Sequence, residues 1–260
     1  CALPICAGEP LVRRVIKVTG RSESHVEEAM QPLYATWAAA ELPVQATILA
    51  SLGQIELHLS TRGTSLDAAV ARLATAVDDT LRAVGPFVYS VDGRSMEEIV
   101  GGLLGERGQT IAAAESCTGG LLMSRLTDVP GSSGYVDRGV VAYSNAAKVD
   151  VLGVPAALIA EHGAVSEPVA TAMAMGIRER SGATIGVGIT GIAGPGGGTA
   201  EKPVGTVAIA VSAAVETRVR TFRFVGGRDM VKFQASQAAL DMVRRRLLGL
   251  DDGATPVRPA

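Results

Sequence analysis

Aromatic residues are scarce in this chain, at 3% of 260 residues. A stacking platform for single-stranded nucleic acid needs more rings than that. Charge is thin as well: 19% of residues are charged, below the usual quarter. The formal net charge is −2, so no basic excess exists to hold nucleic acid non-specifically. Cysteine is nearly absent, with Cys1, Cys6 and Cys117 alone. No CxxC or CxxH pair occurs among them, which argues against a structural zinc site. Their odd number and irregular spacing fit no disulfide framework, so a reducing, cytoplasmic compartment is expected. No apolar run reaches the roughly 18 residues that would span a membrane. No secretory signal is read either, because Pro4, Glu9 and Pro10 break the first apolar stretch. The three histidines, His25, His58 and His162, are scattered. No Gly-x-Ser-x-Gly elbow accompanies them, so a Ser-His-Asp triad has no support. A serine nucleophile would need a lysine as its base.

What is abundant is apolar residues and glycine. Hydrophobic residues make up 47%, enough for a sizeable core and too many for a disordered chain. The length suits one large or two modest domains. Glycine occurs 31 times, well above the typical ~7%, which suggests many tight turns or loops that approach a ligand closely. The chain opens at Cys1 rather than Met, so a fragment or processed product is expected. Ala2-Leu3-Pro4-Ile5 also matches one reading frame of a common sequencing adapter, and residues 1–10 are expected to be an artefact or disordered.

Periodicity divides the rest. Residues 11–90 read as a small α+β unit: strands at Leu11–Val18, Gln45–Ala50 and Gln54–Thr61, and helices at Ser22–Met30 and Ser65–Val84. The last of these carries Leu66, Val70, Leu73, Val77 and Leu81 at helical spacing. Residues 91–250 alternate strand and helix, which predicts a sheet flanked by helices and closed by an antiparallel hairpin. Strands are expected at Thr110–Ala114, Gly139–Tyr143, Thr184–Thr190, Val204–Ser212 and Thr217–Phe224. The last helix is expected over Asp229–Leu248. Residues 251–260 are expected to be a disordered tail.

Four glycine- and hydroxyl-rich turns lie at strand ends, where open α/β sheets bind ligands. Ala114–Gly120 runs a strand through Ser116, Cys117 and Thr118 into a helix. Its free N–H groups suit an anion such as phosphate, while an ordinary N-cap at Ser116 or Thr118 is the plain alternative. Gly131-Ser132-Ser133-Gly134 could expose a hydroxyl. Tyr143-Ser144-Asn145-Ala146-Ala147-Lys148 ends a strand and opens a helix. With Asn145 as cap, Lys148 would sit in the first turn, where the helix dipole lowers an amine's pKa. A solvent-exposed lysine is the alternative. Thr190–Gly198 is a glycine loop that is neither a P-loop nor a Rossmann fingerprint.

Together these strings resemble one family. AESCTGG (114–120), GSSGYVDRGVVAYSNAAK (131–148), HGAVSEPV (162–169), GITGIAGPGGG (188–198) and EKPVGTV (201–207) look like the CinA C-terminal family, which includes the nicotinamide mononucleotide deamidases. The resemblance implies a three-layer α/β/α deamidase domain with a mixed sheet. The preceding unit is similar to the small KH-like linker domain of full-length CinA proteins. No Gly-x-x-Gly clamp stands in residues 11–90, so no RNA partner is expected. The family's molybdopterin-binding-like N-terminal half has no counterpart here. The implied reaction converts nicotinamide mononucleotide to nicotinate mononucleotide and ammonia, by a serine, tyrosine and lysine rather than a metal, with no cofactor. The matching positions are Ser133 as nucleophile, Tyr143 and Lys148. Ser116, Thr118, Gly119, Gly191, Gly194 and, by position, Arg228 match substrate-binding residues. A homo-oligomer is expected. The competing classes are a non-catalytic nucleotide-binding module linked to competence or DNA damage, and a pyrophosphatase, for which no acidic metal cluster stands in the chain.

Overall fold

The computed structural model describes residues 9–51, 53–251 and 253–257. The chain divides into two compact units, one up to Ser95 and one from Met96. The boundary expected near residue 90 thus falls five residues later. The first eight residues, including the adapter-like tetrapeptide, lie outside the described residues.

The first unit runs β1 (Leu11–Thr19), α1 (Glu23–Ala38), β2 (Val44–Ser51), β3 (Gln54–Arg62), α2 (Leu66–Val84) and β4 (Val88–Ser90). The sheet is antiparallel with order β2-β3-β1-β4. That order is the ferredoxin-like split βαβ arrangement, where the resemblance implied a KH-like one. Alternation along β3 is regular: Ile55, Leu57 and Leu59 are buried, with Glu56 and His58 on the opposite face. The buried set packs with Ile16, Val18, Met30, Trp37 and Leu73 into one core. Helix α1 continues eight residues past its expected end at Met30, through Pro32. An interior proline costs about 3 kcal/mol. The extra turns bury Trp37, whose Nε1 donates to Asp79 at 3.0 Å, and this offsets it.

The second unit contains α3 (Met96–Glu106), β5 (Ile111–Glu115), α4 (Leu121–Thr127), β6 (Val136–Val141), α5 (Asn145–Leu152), α6 (Ala156–His162), α7 (Glu167–Ser181), β7 (Ile185–Gly191), β8 (Thr206–Ser212), β9 (Thr217–Arg223), α8 (Arg228–Leu248) and β10 (Thr255–Val257). The sheet order is β10-β9-β8-β7-β5-β6. Strands β5, β6 and β7 are parallel, and β7 to β10 antiparallel. This is the expected mixed sheet.

Small residues under α7 bring it close to the sheet. Ala112, Ala114, Ala208 and Ala210 pack beneath it. A Cβ at Gly188 would lie 2.3 Å from the Ala170 carbonyl oxygen of that helix. Helices α5 and α6 lie beside α7, while α3, α4 and α8 pack together. Helix α4 caps itself on Glu115, whose neighbour Ala114 belongs to the α7 core. Successive β5 side chains point to opposite faces, so helices cover both sides and the layers are α/β/α.

Two expectations change here. Strand β6 starts three residues early, at Val136, because Asp137 and Arg138 occupy an exposed sheet edge and disguise it. The tail is not all irregular: Thr255 pairs with Val219 and Val257 with Thr217. Gly249, in the left-handed region, turns the chain back. Arg245 then holds it by donating to the Asp251 carbonyl at 2.7 Å.

Candidate active site

Parallel β5 and β6 end side by side, and their carboxyl ends carry the site. Ser116 follows β5. Its N–H donates to the Ile189 carbonyl of β7 at 3.0 Å, which ties the turn to the neighbouring strand. Tyr143 follows β6, and Ser144 then caps α5, its Oγ accepting from the Ala147 N–H at 3.0 Å. The expected cap at Asn145 is therefore one residue off, and Lys148 is the fourth residue of α5.

That one-residue change matters for Lys148. The side chain is 2% exposed, so the exposed-lysine alternative falls. Its Nζ lies 3.2 Å from Ser116 Oγ, 3.1 Å from the Ala142 carbonyl and 3.2 Å from the Tyr143 carbonyl. Burial lowers the amine below its ordinary value, and this is the leading cause rather than the helix dipole. A neutral amine has two N–H donors and one lone pair. As an ammonium the side chain donates to all three oxygens, Ser116 Oγ included; once neutral it can keep the two carbonyls and turn its lone pair to the Ser116 hydroxyl. This is the geometry of a base poised on a serine.

Arg228 opens α8 and joins the cluster. It donates to the Tyr143 hydroxyl at 3.0 Å and to the Gly194 carbonyl of the glycine loop at 2.8 Å. Ser116, Tyr143, Lys148, Gly194 and Arg228 are thus brought together. Tyr143 is 60% exposed. Lys148 meets its backbone carbonyl, while its hydroxyl is engaged by Arg228, so a proton relay through the Tyr143 ring has no geometric support. Gly191 has a packing reason to be glycine, since a Cβ there would lie 2.6 Å from Val207 Cγ2.

Ser133 is not brought to this cluster. It sits exposed on a short 3-10 turn, Ser132–Gly134, that precedes β6. Tyr143 follows the same strand. Six residues at about 3.3 Å each put roughly 20 Å between the two ends. Within one chain the expected Ser133–Lys148 pair is therefore not formed. The hydroxyl in reach of the lysine is Ser116.

The Ser116–Gly120 turn also differs from a phosphate cradle. Its anion is internal: the Glu115 carboxylate, fully buried, accepts from the N–H groups of Gly120, Leu122 and Met123 at 3.0, 3.1 and 3.0 Å. The sequence reading missed Glu115. The signal was present, since a carboxylate just before a Ser/Thr/Gly turn can reach the following helix terminus. Thr118 is buried with no hydrogen-bond partner for its Oγ1 among the described residues. Burial raises the Cys117 thiol to about 12, which marks it as inert rather than nucleophilic. Among the described residues no three His, Cys, Asp or Glu side chains converge on a possible metal position, and no helix is long and apolar enough to cross a membrane.

A layered α/β/α unit with a buried serine–lysine pair at the carboxyl ends of parallel strands is the class that this fold and site define. Residues 93–247 match the family model of the CinA C-terminal domain, and the chain belongs to the CinA family. A CinA-like protein of Koribacter versatilis is 46% identical over 241 residues, covering 92% of this chain and 56% of that protein. A CinA-like protein of Geotalea daltonii is 43% identical over 235 residues, with 90% and 56% covered. The chain therefore spans little more than half the length of these curated relatives. The crystal structure of the competence/damage inducible protein CihA from Agrobacterium tumefaciens is similar at 40% identity and a TM-score of 0.56. That similarity covers 60% of this chain and 97% of the other.

Proposed function

We propose that the second unit is an amide hydrolase that converts nicotinamide mononucleotide to nicotinate mononucleotide and ammonia, with Ser116 as nucleophile and Lys148 as base. The observation that carries the proposal is the buried amine 3.2 Å from a serine hydroxyl, with its other two donors already occupied by carbonyls. Neutral Lys148 takes the Ser116 proton as Oγ bonds to the carboxamide carbon. The resulting ammonium returns that proton to the departing nitrogen, the C–N bond breaks, and ammonia leaves. Water, deprotonated by the same amine, then attacks the acyl-serine ester, releasing the nicotinate product and restoring the serine.

An oxyanion forms in both steps. The N–H of Gly119 is used by the Ser116 carbonyl, and those of Gly120, Leu122 and Met123 by Glu115. The N–H groups of Cys117 and Thr118 are the remaining donors of that turn, and they take the oxyanion role, worth about 3–4 kcal/mol per donor. Tyr143, exposed at the rim and held by Arg228, offers its ring to the pyridine.

The test is ammonia release from nicotinamide mononucleotide without added metal. Ser116→Ala and Lys148→Ala should each lower the rate at least ~100-fold, and Ser133→Ala should leave it within a few fold. Loss on Ser133→Ala with activity kept in Ser116→Ala would overturn the assignment of nucleophile. No release by the folded parent would overturn the hydrolase reading and leave a nucleotide-binding module.

A further inference from the structure

Strand β1 of the first unit is covered unevenly. Its inner side pairs with β3 from Leu11 to Thr19. Its outer side meets β4 only at Lys17 and Val18, where the register shifts. Such a bulge ends pairing, and Gly93, in the left-handed region, carries the chain after β4 past Val15. The outer edge of Leu11–Val15 therefore has no strand beside it among the described residues. Alternate residues of a ladder point their N–H and C=O groups to opposite sides, so this edge carries unused backbone groups. One is met by a local substitute: Arg14 Nη1 donates to the Arg13 carbonyl at 3.2 Å.

A cavity of about 400 Å³ opens at the same edge, lined by Arg13, Arg14, Val15, His58 and Asp92. Its charges are unevenly matched. Asp92 accepts from Ser90 Oγ at 2.9 Å and from Arg94 Nε at 2.8 Å. His58 Nε2 lies 2.9 Å from Glu56, which also pairs with Lys17. Arg13 and Arg14 are exposed and make no ion pair among the described residues. The cavity thus combines an apolar floor at Val15, unused backbone donors and acceptors, and two unmatched guanidinium groups.

These groups select their occupant. A second copy of β1 laid on this edge would bring four arginines together across a strand spacing of about 4.8 Å, which like charges oppose. A strand of opposite sign meets no such penalty. A guanidinium takes a carboxylate in a bidentate, charge-assisted pair. Successive strand residues point to opposite faces, so Arg13 and Arg14 reach acids on both faces of an added strand. Five residues at about 3.3 Å each give it an edge of roughly 17 Å.

We infer that the β1 edge is a docking site for an extended acidic peptide segment, which adds a strand beside Leu11–Val15 and sets its carboxylates on Arg13 and Arg14. The site lies wholly in the first unit and does not depend on the hydrolase reading of the second.

The experiment titrates the whole chain into fluorescein-labelled hexapeptides and follows their anisotropy. One peptide alternates glutamate with threonine, one alternates lysine with threonine, and a third is the acidic peptide methylated at every backbone nitrogen. The acidic peptide should bind the parent, more weakly as salt rises, and the lysine peptide should not. Backbone methylation, which keeps the charge and removes the strand's donors, should weaken binding at least ~10-fold. Arg13→Glu/Arg14→Glu should weaken it by a similar factor. Trp37 lies in the core of this unit, so its fluorescence reports whether the variant keeps its fold. If it does not, Arg13→Gln/Arg14→Gln decides in its place. Equal binding of the methylated peptide overturns strand addition. Absent binding of the acidic peptide, equal binding of the lysine peptide, or full binding by a folded arginine variant overturns the inference. Tighter binding of an oligouridylate than of the acidic peptide would assign the edge to nucleic acid and overturn it as well.

Discussion

Replacing Glu115 by glutamine should loosen the second unit at one defined place. The carboxylate carries three hydrogen bonds in a fully buried position. Gly120 and Leu122 donate to Oε2 and Met123 donates to Oε1. A glutamine can keep the first pair on its carbonyl oxygen. It then presents an NH2 group to the Met123 N–H, so one bond becomes a donor–donor contact and the charge is lost from all three. A hydrogen bond to a charged group contributes about 1.5–3 kcal/mol, and a buried unsatisfied donor costs about 1–3 kcal/mol. The expected destabilisation is ~2–4 kcal/mol. Glu115→Ala, which orphans all three donors, should cost more and take a large share of a typical 5–15 kcal/mol total. The assay is amide hydrogen exchange at residues 120–123. At 1.4 kcal/mol per decade, exchange at Met123 should accelerate roughly 30- to 700-fold in Glu115→Gln. Tryptophan fluorescence is unsuitable as the readout, because the single tryptophan, Trp37, lies in the core of the other unit. Exchange at Met123 unchanged in the glutamine variant, with stability within ~0.5 kcal/mol of the parent, would refute the view that this carboxylate is the anion of the turn.

Further outcomes follow from the surroundings of Lys148, Cys117 and two glycines. Hydrolysis should rise with pH and fall away as pH drops through the Lys148 value, with its inflection below the ordinary 10.5. In that interval the unfolded chain binds more protons at this residue than the folded one, so stability should also rise with pH, and Lys148→Met should flatten the slope in a pH series of urea melts. The Cys117 thiol, raised to about 12 by burial, should resist iodoacetamide at pH 8 in the native chain and react after unfolding, as mass spectrometry would show. Gly188→Ala should lower the thermal midpoint, since its Cβ would meet backbone atoms of α7 at 2.3 and 2.6 Å and overpacking costs about 1–3 kcal/mol. Gly102→Ala, in an exposed turn of α3 with nothing within 4 Å, should raise the midpoint through helix propensity, by up to ~1 kcal/mol.

Much of the fold can be read from local pattern, and the exceptions have physical causes. Strand β3 and helix α2 announce themselves by strict alternation and by a long apolar stripe, because each has one wet face. Helix α1 hides its last turns behind Pro32, a local stop signal that the burial of Trp37 overrides. Strand β4, three residues long, and strand β10, carrying Pro256, are too short for periodicity to register; they exist because a neighbouring strand edge is available. Strand β6 shows why edges are hard to read. Its outer backbone faces solvent in the chain, so charged residues are tolerated there and mask its beginning.

The same lesson, applied to strand direction, accounts for Ser133. In the structure Ser116 and Tyr143 come just after strands, Gly191 ends one, and Ser133 comes just before one. In a set of parallel strands, groups that follow strands gather at the carboxyl end, and groups that precede them gather at the other. Applied to β5, β6 and β7, this rule alone puts Ser116 beside Lys148 and leaves Ser133 a strand's length away. The glycine and serine content of the two turns was similar, so composition could not separate them; only their order relative to the strand could. What no order rule supplies is the role of Glu115. Its position at the strand end fits equally a residue facing solvent, a ligand contact or an internal cap. Three amide hydrogens at 3.0–3.1 Å decide for the cap. With that terminus filled by the chain's own carboxylate, the start of α4 is satisfied from within the chain and is not open to an outside anion.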